Sequence, residues 1–239
     1  MTGSPDDVQP PAPTTFAGHA DALAAGNHLR VVNFHATPEA SANRLRRELA
    51  SFARTHDPVG VADLDAFFET GRWPMARPGL LPVFYEGYRD GFDVVAPVLD
   101  EVGLTGWFMI CTGWVDTPPE HQEAYAHAHH LGLTAAHAGR DRLALSWAEI
   151  TELSRRHVVT PHTASHSPAV DIRTDADARR EVHEPKQRMD AATGGSAPAT
   201  AWLNGTHHGL VPFADAAVRA AGYRYVFSNT MVQRVLPVA

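Results

Sequence analysis

Short apolar runs alternate along this chain with longer stretches whose apolar residues recur every three or four positions, and that alternation constrains the fold more than any other feature. Leu29–Phe34, Leu80–Phe84, Thr105–Ile110, Val158–Thr160, Ala199–Leu203 and Tyr225–Ser228 read as strands: they are brief, apolar and rich in β-branched or aromatic residues. Helical signals lie between them. Thr37 and Pro38 read as an N-cap and a first helical residue, followed by Leu45, Leu49 and Phe52 at helical spacing. Phe92, Val95, Val98, Leu99 and Val102 form a stripe over Gly91–Val102 that Gly103 closes, and Ser146 with Glu149 forms a capping box opening a helix to about Arg156. A polar helix is predicted over Asp175–Ala192, stopping at Gly194 and Gly195, and another over Pro212–Ala221, closed by Gly222. Such alternation implies parallel strands joined by right-handed crossovers. An open doubly wound sheet and a closed barrel satisfy the pattern equally.

A length of 239 residues suits one large α/β domain, and no internal repeat or linker divides the body. The start, MTGSPDDVQPPAPTTF, is acidic and Pro-rich without an apolar core, so it reads as a disordered tail over residues 1–27 rather than a secretory signal, with a single domain over residues 28–239. A net charge of −7 argues against a nucleic-acid partner, and no stretch reaches the ~18 apolar residues of a membrane span. These features predict a cytoplasmic protein; a homo-oligomer stays open. The single cysteine, Cys111, excludes an internal disulfide and, set in an apolar run, reads as a small buried hydrophobe.

Histidine is unusually frequent, at 15 residues. His162 and His166 follow the short strand Val158–Thr160, and Pro161 and Pro168 flank them. At that spacing two imidazoles can face one side of a turn and share a metal ion, and the end of a strand is where α/β folds place ligand sites. Exposed loop histidines are the competing reading. Glu86, at the end of the apolar run Leu80–Phe84, is the best third ligand; a carboxylate there suits a site and is awkward in a core. His127, His129 and His130 lie on a polar helical segment and read as solvated.

Several segments, in order, resemble the polysaccharide deacetylases (carbohydrate esterase family 4). Pro82–Leu104, PVFYEGYRDGFDVVAPVLDEVGL, is similar to the family's first motif: an Asp-Asp-Gly-Tyr turn, a helix with Pro-Ile-Leu, then a strand. His162–His166 resembles the second motif, His-Ser/Thr-x-x-His, with Glu181 and Lys186 on the helix that follows. Ala201-Trp202-Leu203-Asn204-Gly205 resembles the third, and Val31–His35 the early Tyr-His strand. The resemblance spans roughly residues 29–236. It implies a distorted (β/α) barrel of about seven parallel strands and a Zn2+ or similar ion held by Glu86, His162 and His166. It also implies hydrolysis of an N-acetyl or related amide, in which the ion activates water and polarises the acyl oxygen.

The first motif departs from the family at its paired acids. Tyr85 stands where the family has its general base, and a free tyrosine titrates near ~10. Tyr85 could instead donate a hydrogen bond or form an aromatic wall. In the third motif Leu203 and Asn204 replace proline and tyrosine, leaving the Asn204 backbone N–H as an oxyanion donor. The family's closing Leu-x-His motif, its general acid, is not visible. His207 and His208 are the first candidates to replace the lost proton-transfer groups, and His35 is the next. Asp90 reads as the cap of the following helix. Trp202 and Tyr88, with Trp114, are candidates to meet a substrate, although most aromatics of this kind are core. Two main readings follow: a metal-dependent hydrolase of a carbon–nitrogen bond in a small molecule or amino sugar, or a descendant that binds without hydrolysing. A different reaction on the same metal site is a third.

Overall fold

The computed structural model describes residue 21, residues 23–229 and residues 231–236. Most of the predicted N-terminal tail, residues 1–20 and 22, lies outside the described residues, as do residues 237–239.

Strand β1 (Leu29–Phe34) pairs in parallel with β3 (Gly79–Glu86) along its whole length. On its other side β3 meets first the two-residue β2 (Asp57–Pro58) at Gly79 and Leu80, then β4 (Trp107–Ile110) from Val83 onward. β5 (Val158–Pro161) completes this sheet in parallel with β4. Every residue of β3 and β4 is buried, which is why both read as unbroken apolar runs rather than as alternating patterns. Helix Ala42–Ala53 lays Leu45 and Leu49, one turn apart, against helix Ala96–Val102.

The second sheet is small. β6 (Ala199–Ala201) runs parallel to β7 (Tyr225–Ser228), and β8 (Met231–Arg234) returns antiparallel to β7. The expectation of parallel strands ending at Ser228 is therefore corrected. Once β7 turns back, β8 needs no crossover and pairs as a hairpin. The described strands also form two sheets, and a closed barrel is not resolved. Between β5 and β6 the join is made by side chains: Thr160 Oγ1 donates to Ala199 O, and Thr200 Oγ1 donates to Pro161 O at 3.1 Å. On the opposite flank Asn33 Nδ2 donates to Asn229 O at 2.8 Å.

The helices differ from expectation in informative ways. The first begins at Ala42, after a 3-10 turn over Glu39–Ser41, and Thr37 makes no cap. The stripe Gly91–Val102 opens as a π-helical turn over Gly91–Val95. Asp90 stands at its start without capping it, because its carboxylate is engaged by His137 and Arg140. The polar helix is likewise split by a π-helical turn, Arg179–His183, between Asp175–Ala178 and Glu184–Thr193. Such turns insert one residue and re-aim the side chains they carry. The Ser146–Glu149 capping box forms as expected, opening Trp147–Leu153. Cys111 and Trp114 are buried, Trp114 donating its indole N–H to Gln122 O at 3.0 Å. Among the described residues no helix is long and apolar enough to cross a membrane.

Candidate metal centre

The carboxyl ends of the parallel strands converge on one cavity of about 350 Å3. His35 follows β1, Tyr85 and Glu86 end β3, His162 follows β5, Trp202 follows β6, and Asn229 follows β7; all six line it. A larger surface depression, about 520 Å3 beside Asp175, Arg179 and His183, holds none of these groups.

Glu86 is aimed by a turn. Its φ is 69° and Gly87 follows at 89°, where a Cβ would meet Ile110 Cγ2 at 2.8 Å. Only glycine takes the second position without strain. The turn presses the carboxyl group into the floor of the cavity, where it is 3% exposed. Burial pushes its pKa up to about 8.

Each histidine is oriented by a backbone carbonyl. His162 Nδ1 lies 2.9 Å from Ala201 O, and His166 Nδ1 lies 2.9 Å from His129 O. A carbonyl only accepts, so both Nδ1 atoms carry the hydrogen and both Nε2 lone pairs are free, as metal-ligating histidines require. Burial, then the neighbouring His166, lowers the His162 pKa to about 3; burial lowers His166 as well. His166 Nε2 is 3.7 Å and His35 Nε2 3.4 Å from Glu86 Oε1. With neutral imidazoles and a protonated carboxyl group at pH 7, these approaches are not ion pairs.

The loop carrying both histidines is strained and firmly held. Thr163 and His166 adopt left-handed φ values of 60° and 58°. Glu181, turned inward by the π-helical turn, accepts the backbone N–H groups of Ala164 at 3.1 Å and Ser165 at 2.9 Å, and the Ser165 hydroxyl at 2.9 Å. Thr163 Oγ1 accepts the Ser167 N–H at 3.0 Å.

One ligand atom from each of Glu86, His162 and His166 can be chosen so that all lie within 4.8 Å of one another. The chemistry of the set fits a cation: two imidazole lone pairs and a carboxyl group whose buried Oε2 has no partner among the described residues. Two nitrogens and one oxygen suit several divalent ions and do not select among them.

The structure separates the other predicted residues. Tyr85 packs edge-on against His162, and its buried hydroxyl has no partner among the described residues. Burial drives that hydroxyl above the usual tyrosine range. Tyr88 lines the cavity, but its hydroxyl is committed to Gly132 O at 2.8 Å. Asn204, at φ 56°, and Trp202 line it too. His207 and His208 are not among the lining residues; His208 accepts from Arg219 Nη1 at 2.9 Å, and its backbone N–H donates to Gln233 Oε1 at 2.8 Å. Sequence reasoning missed His130, which lines the cavity, and the carbonyl of His129. His130 is exposed, as its reading as a solvated residue had it, and reaches the cavity because the chain turns at φ 58° after the helix Gln122–Ala128 and its His129 cap, which no local pattern announces.

No family model and no curated protein matches the chain by sequence. Solved structures do match it by fold. Deacetylase PplD of Streptococcus pyogenes, solved in complex with acetate, superposes with a TM-score of 0.62 at 12% identity, covering 82% of this chain and 80% of its own. IcaB from Ammonifex degensii gives 0.60 at 16% identity over 84% and 83%. A de-N-acetylase from Aggregatibacter actinomycetemcomitans gives 0.59 at 16% identity over 87% and 88%. Across most of its length the chain has the fold of the polysaccharide deacetylases.

Proposed function

We propose that the protein is a metal-dependent hydrolase of an amide carbon–nitrogen bond, deacetylase-like, acting on an N-acylated amino sugar or a small molecule carrying the same group. The observation that carries this reading is the convergence of Glu86 with His162 and His166, both imidazoles preset by carbonyls to offer Nε2. We read the two sheets as a distorted (β/α) barrel that side chains rather than ladders close between β5 and β6. Zn2+ is the ion we expect, and the cytoplasm the compartment.

A bound divalent ion would supply Lewis acidity, polarising an acyl oxygen and acidifying water. The residues of the chain do the rest. Hydrolysis forms a C–O bond, breaks the C–N bond and delivers a proton to the leaving nitrogen. Tyr85 stays protonated at neutral pH and so serves as a donor or a wall, not as a base. His35, 62% exposed at the edge of the cavity, is the imidazole beside Glu86 that can accept a proton; partial desolvation on the cavity side lowers its pKa from the ordinary value. The Asn204 backbone N–H is our candidate oxyanion donor, and Trp202 forms a wall for the acyl group or sugar ring.

A second reading, binding without hydrolysis, draws support from the same Tyr85, since a buried phenol replaces the expected carboxylate base. Metal analysis of untagged wild type and of His162→Ala/His166→Ala tests the centre. About one ion per chain, lost in the double variant, followed by hydrolysis of N-acetyl amides that stops on chelation, supports the hydrolase. Metal uptake without turnover of any amide favours the binding reading. No uptake from a panel of divalent ions removes both the centre and the hydrolase.

A further inference from the structure

The wall of the cavity between β4 and β5 is pinned to the interior by one carboxylate. Asp90 is 0% exposed. Its Oδ2 lies 3.2 Å from His137 Nε2, and its Oδ1 takes Arg140 Nη1. His137 Nδ1 accepts the Thr134 backbone N–H at 2.9 Å, so the imidazole hydrogen sits on Nε2 and points at Asp90. Tyr88, two residues before Asp90, lies face to face with the His137 ring at 5.4 Å and 24°, and donates its hydroxyl to Gly132 O. Residues 132–140 are thereby fixed to the turn that carries Glu86.

Immediately before Gly132 the same segment supplies the His129 carbonyl that orients His166, and His130 in the cavity wall. It touches the ligand loop once more, where the Tyr125 hydroxyl donates to Ala164 O at 3.1 Å. Helix Gln122–Ala128 has seven residues, too few to hold its own shape in water. The place of the His129 carbonyl therefore depends on what pins the chain on either side. A fully buried carboxylate is costly unless its partners are fixed, and here both come from the wall segment.

We infer that Asp90 is a positioning residue for the metal centre: through His137 and Arg140, and alongside the Tyr88 hydroxyl that holds Gly132, it fixes the His129 carbonyl, and so holds His166 with Nε2 facing Glu86. The inference rests on the metal-centre reading for its consequence but not for its geometry. The wall is then a preset part of the site rather than a loop that forms around substrate.

Asp90→Asn and Tyr88→Phe test this, each measured for thermal unfolding, Co2+ affinity by chelator competition, the visible Co2+ spectrum, and the His166 tautomer by histidine side-chain NMR of the metal-free protein. Asp90→Asn should weaken Co2+ binding by up to about 10-fold, the low end of the range for groups that hydrogen-bond a ligand directly, since Asp90 acts through the segment that carries the His129 carbonyl. It should also change the Co2+ spectrum and loosen the preference of His166 for the Nδ1–H form. Tyr88→Phe, which frees only Gly132, should shift the same readouts by less, and if Asp90→Asn does not fold, Arg140→Gln, which removes one partner of Asp90 at a partly exposed side chain, decides the matter by the same readouts. Variants that unfold at lower temperature yet keep wild-type affinity, spectrum and tautomer would overturn the inference. If wild type takes up no Co2+, the metal centre falls, and the tautomer measurement still decides whether Asp90 sets His166.

Discussion

Freed of metal, wild type should lose stability relative to Glu86→Gln as pH rises from 6.5 to 8. The buried Glu86 carboxyl group has a pKa of about 8, against an ordinary 4.5 in the unfolded chain. Between these values the native state holds a proton that the unfolded state has released, so unfolding becomes easier as pH rises. One proton difference is worth about 1.4 kcal/mol per pH unit, which over this interval amounts to about 2 kcal/mol. The histidines act the other way, and their effect reaches into the lower part of the window, but it is common to wild type and Glu86→Gln. His162, near 3, and His35, His56, His157, His166 and His208, all lowered mainly by burial, contribute stability that is lost as pH falls through 6.5 and is complete only about one unit above it. The buried Cys111 thiol, raised by burial, matters only near and above its ordinary value of 9. The difference between wild type and Glu86→Gln over 6.5 to 8 thus isolates Glu86. Urea unfolding midpoints of chelator-treated wild type and Glu86→Gln across that range provide the assay. A difference between the two proteins that stays constant across the range refutes the reasoning.

Co2+ uptake should strengthen as pH rises toward 8 and release about one proton per ion, since Glu86 must ionise to bind; titration calorimetry in buffers of different ionisation enthalpy reads this directly. Glu181→Ala should cost about 1–3 kcal/mol in urea unfolding, because it leaves the half-buried Ala164 and Ser165 N–H groups without their acceptor; Glu181→Gln, which keeps one acceptor oxygen, should cost about half as much. Gly113→Ala should weaken Co2+ binding, because its Cβ would stand 2.8 Å from Ala164 O and 2.5 Å from the Tyr125 hydroxyl, and a backbone carbonyl in the ligand loop yields only by moving the loop; a wild-type affinity would contradict this.

The metal triad was legible because each member stands at a strand end that periodicity locates: β3 predicts where Glu86 sits, and β5 where His162 begins its loop. Strands β1 and β7 and helix Pro212–Ala221 fall on their predicted bounds for the same reason, each being bracketed by residues that stop an element. The π-helical turns were not legible. An inserted residue leaves the apolar stripe almost unchanged, so Gly91–Val102 reads as one helix and the inward turn of Glu181 goes unseen. Asp90 was misread as a cap because its partners, His137 and Arg140, lie about fifty residues away, and no local rule reports a long-range pair. The His129 carbonyl leaves no trace in sequence at all, since every residue has one.

The seam between β5 and β6 gives His162 a second occupation. Its Nδ1–H reaches across to Ala201, beside the two threonine links, so one imidazole both offers a lone pair to a cation and laces one sheet to the other. The two sheets share one apolar core, in which Val83 and Trp107 pack with Ala201 and Phe227, but at this seam side chains stand where a ladder of amides would be, and such a seam opens more readily. Whatever loads the cation-facing nitrogen also tightens the lace. Amide protons of β6 and β7, which touch no ligand, would then exchange more slowly once the centre is filled, and hydrogen exchange in the small sheet would report on metal at a distance.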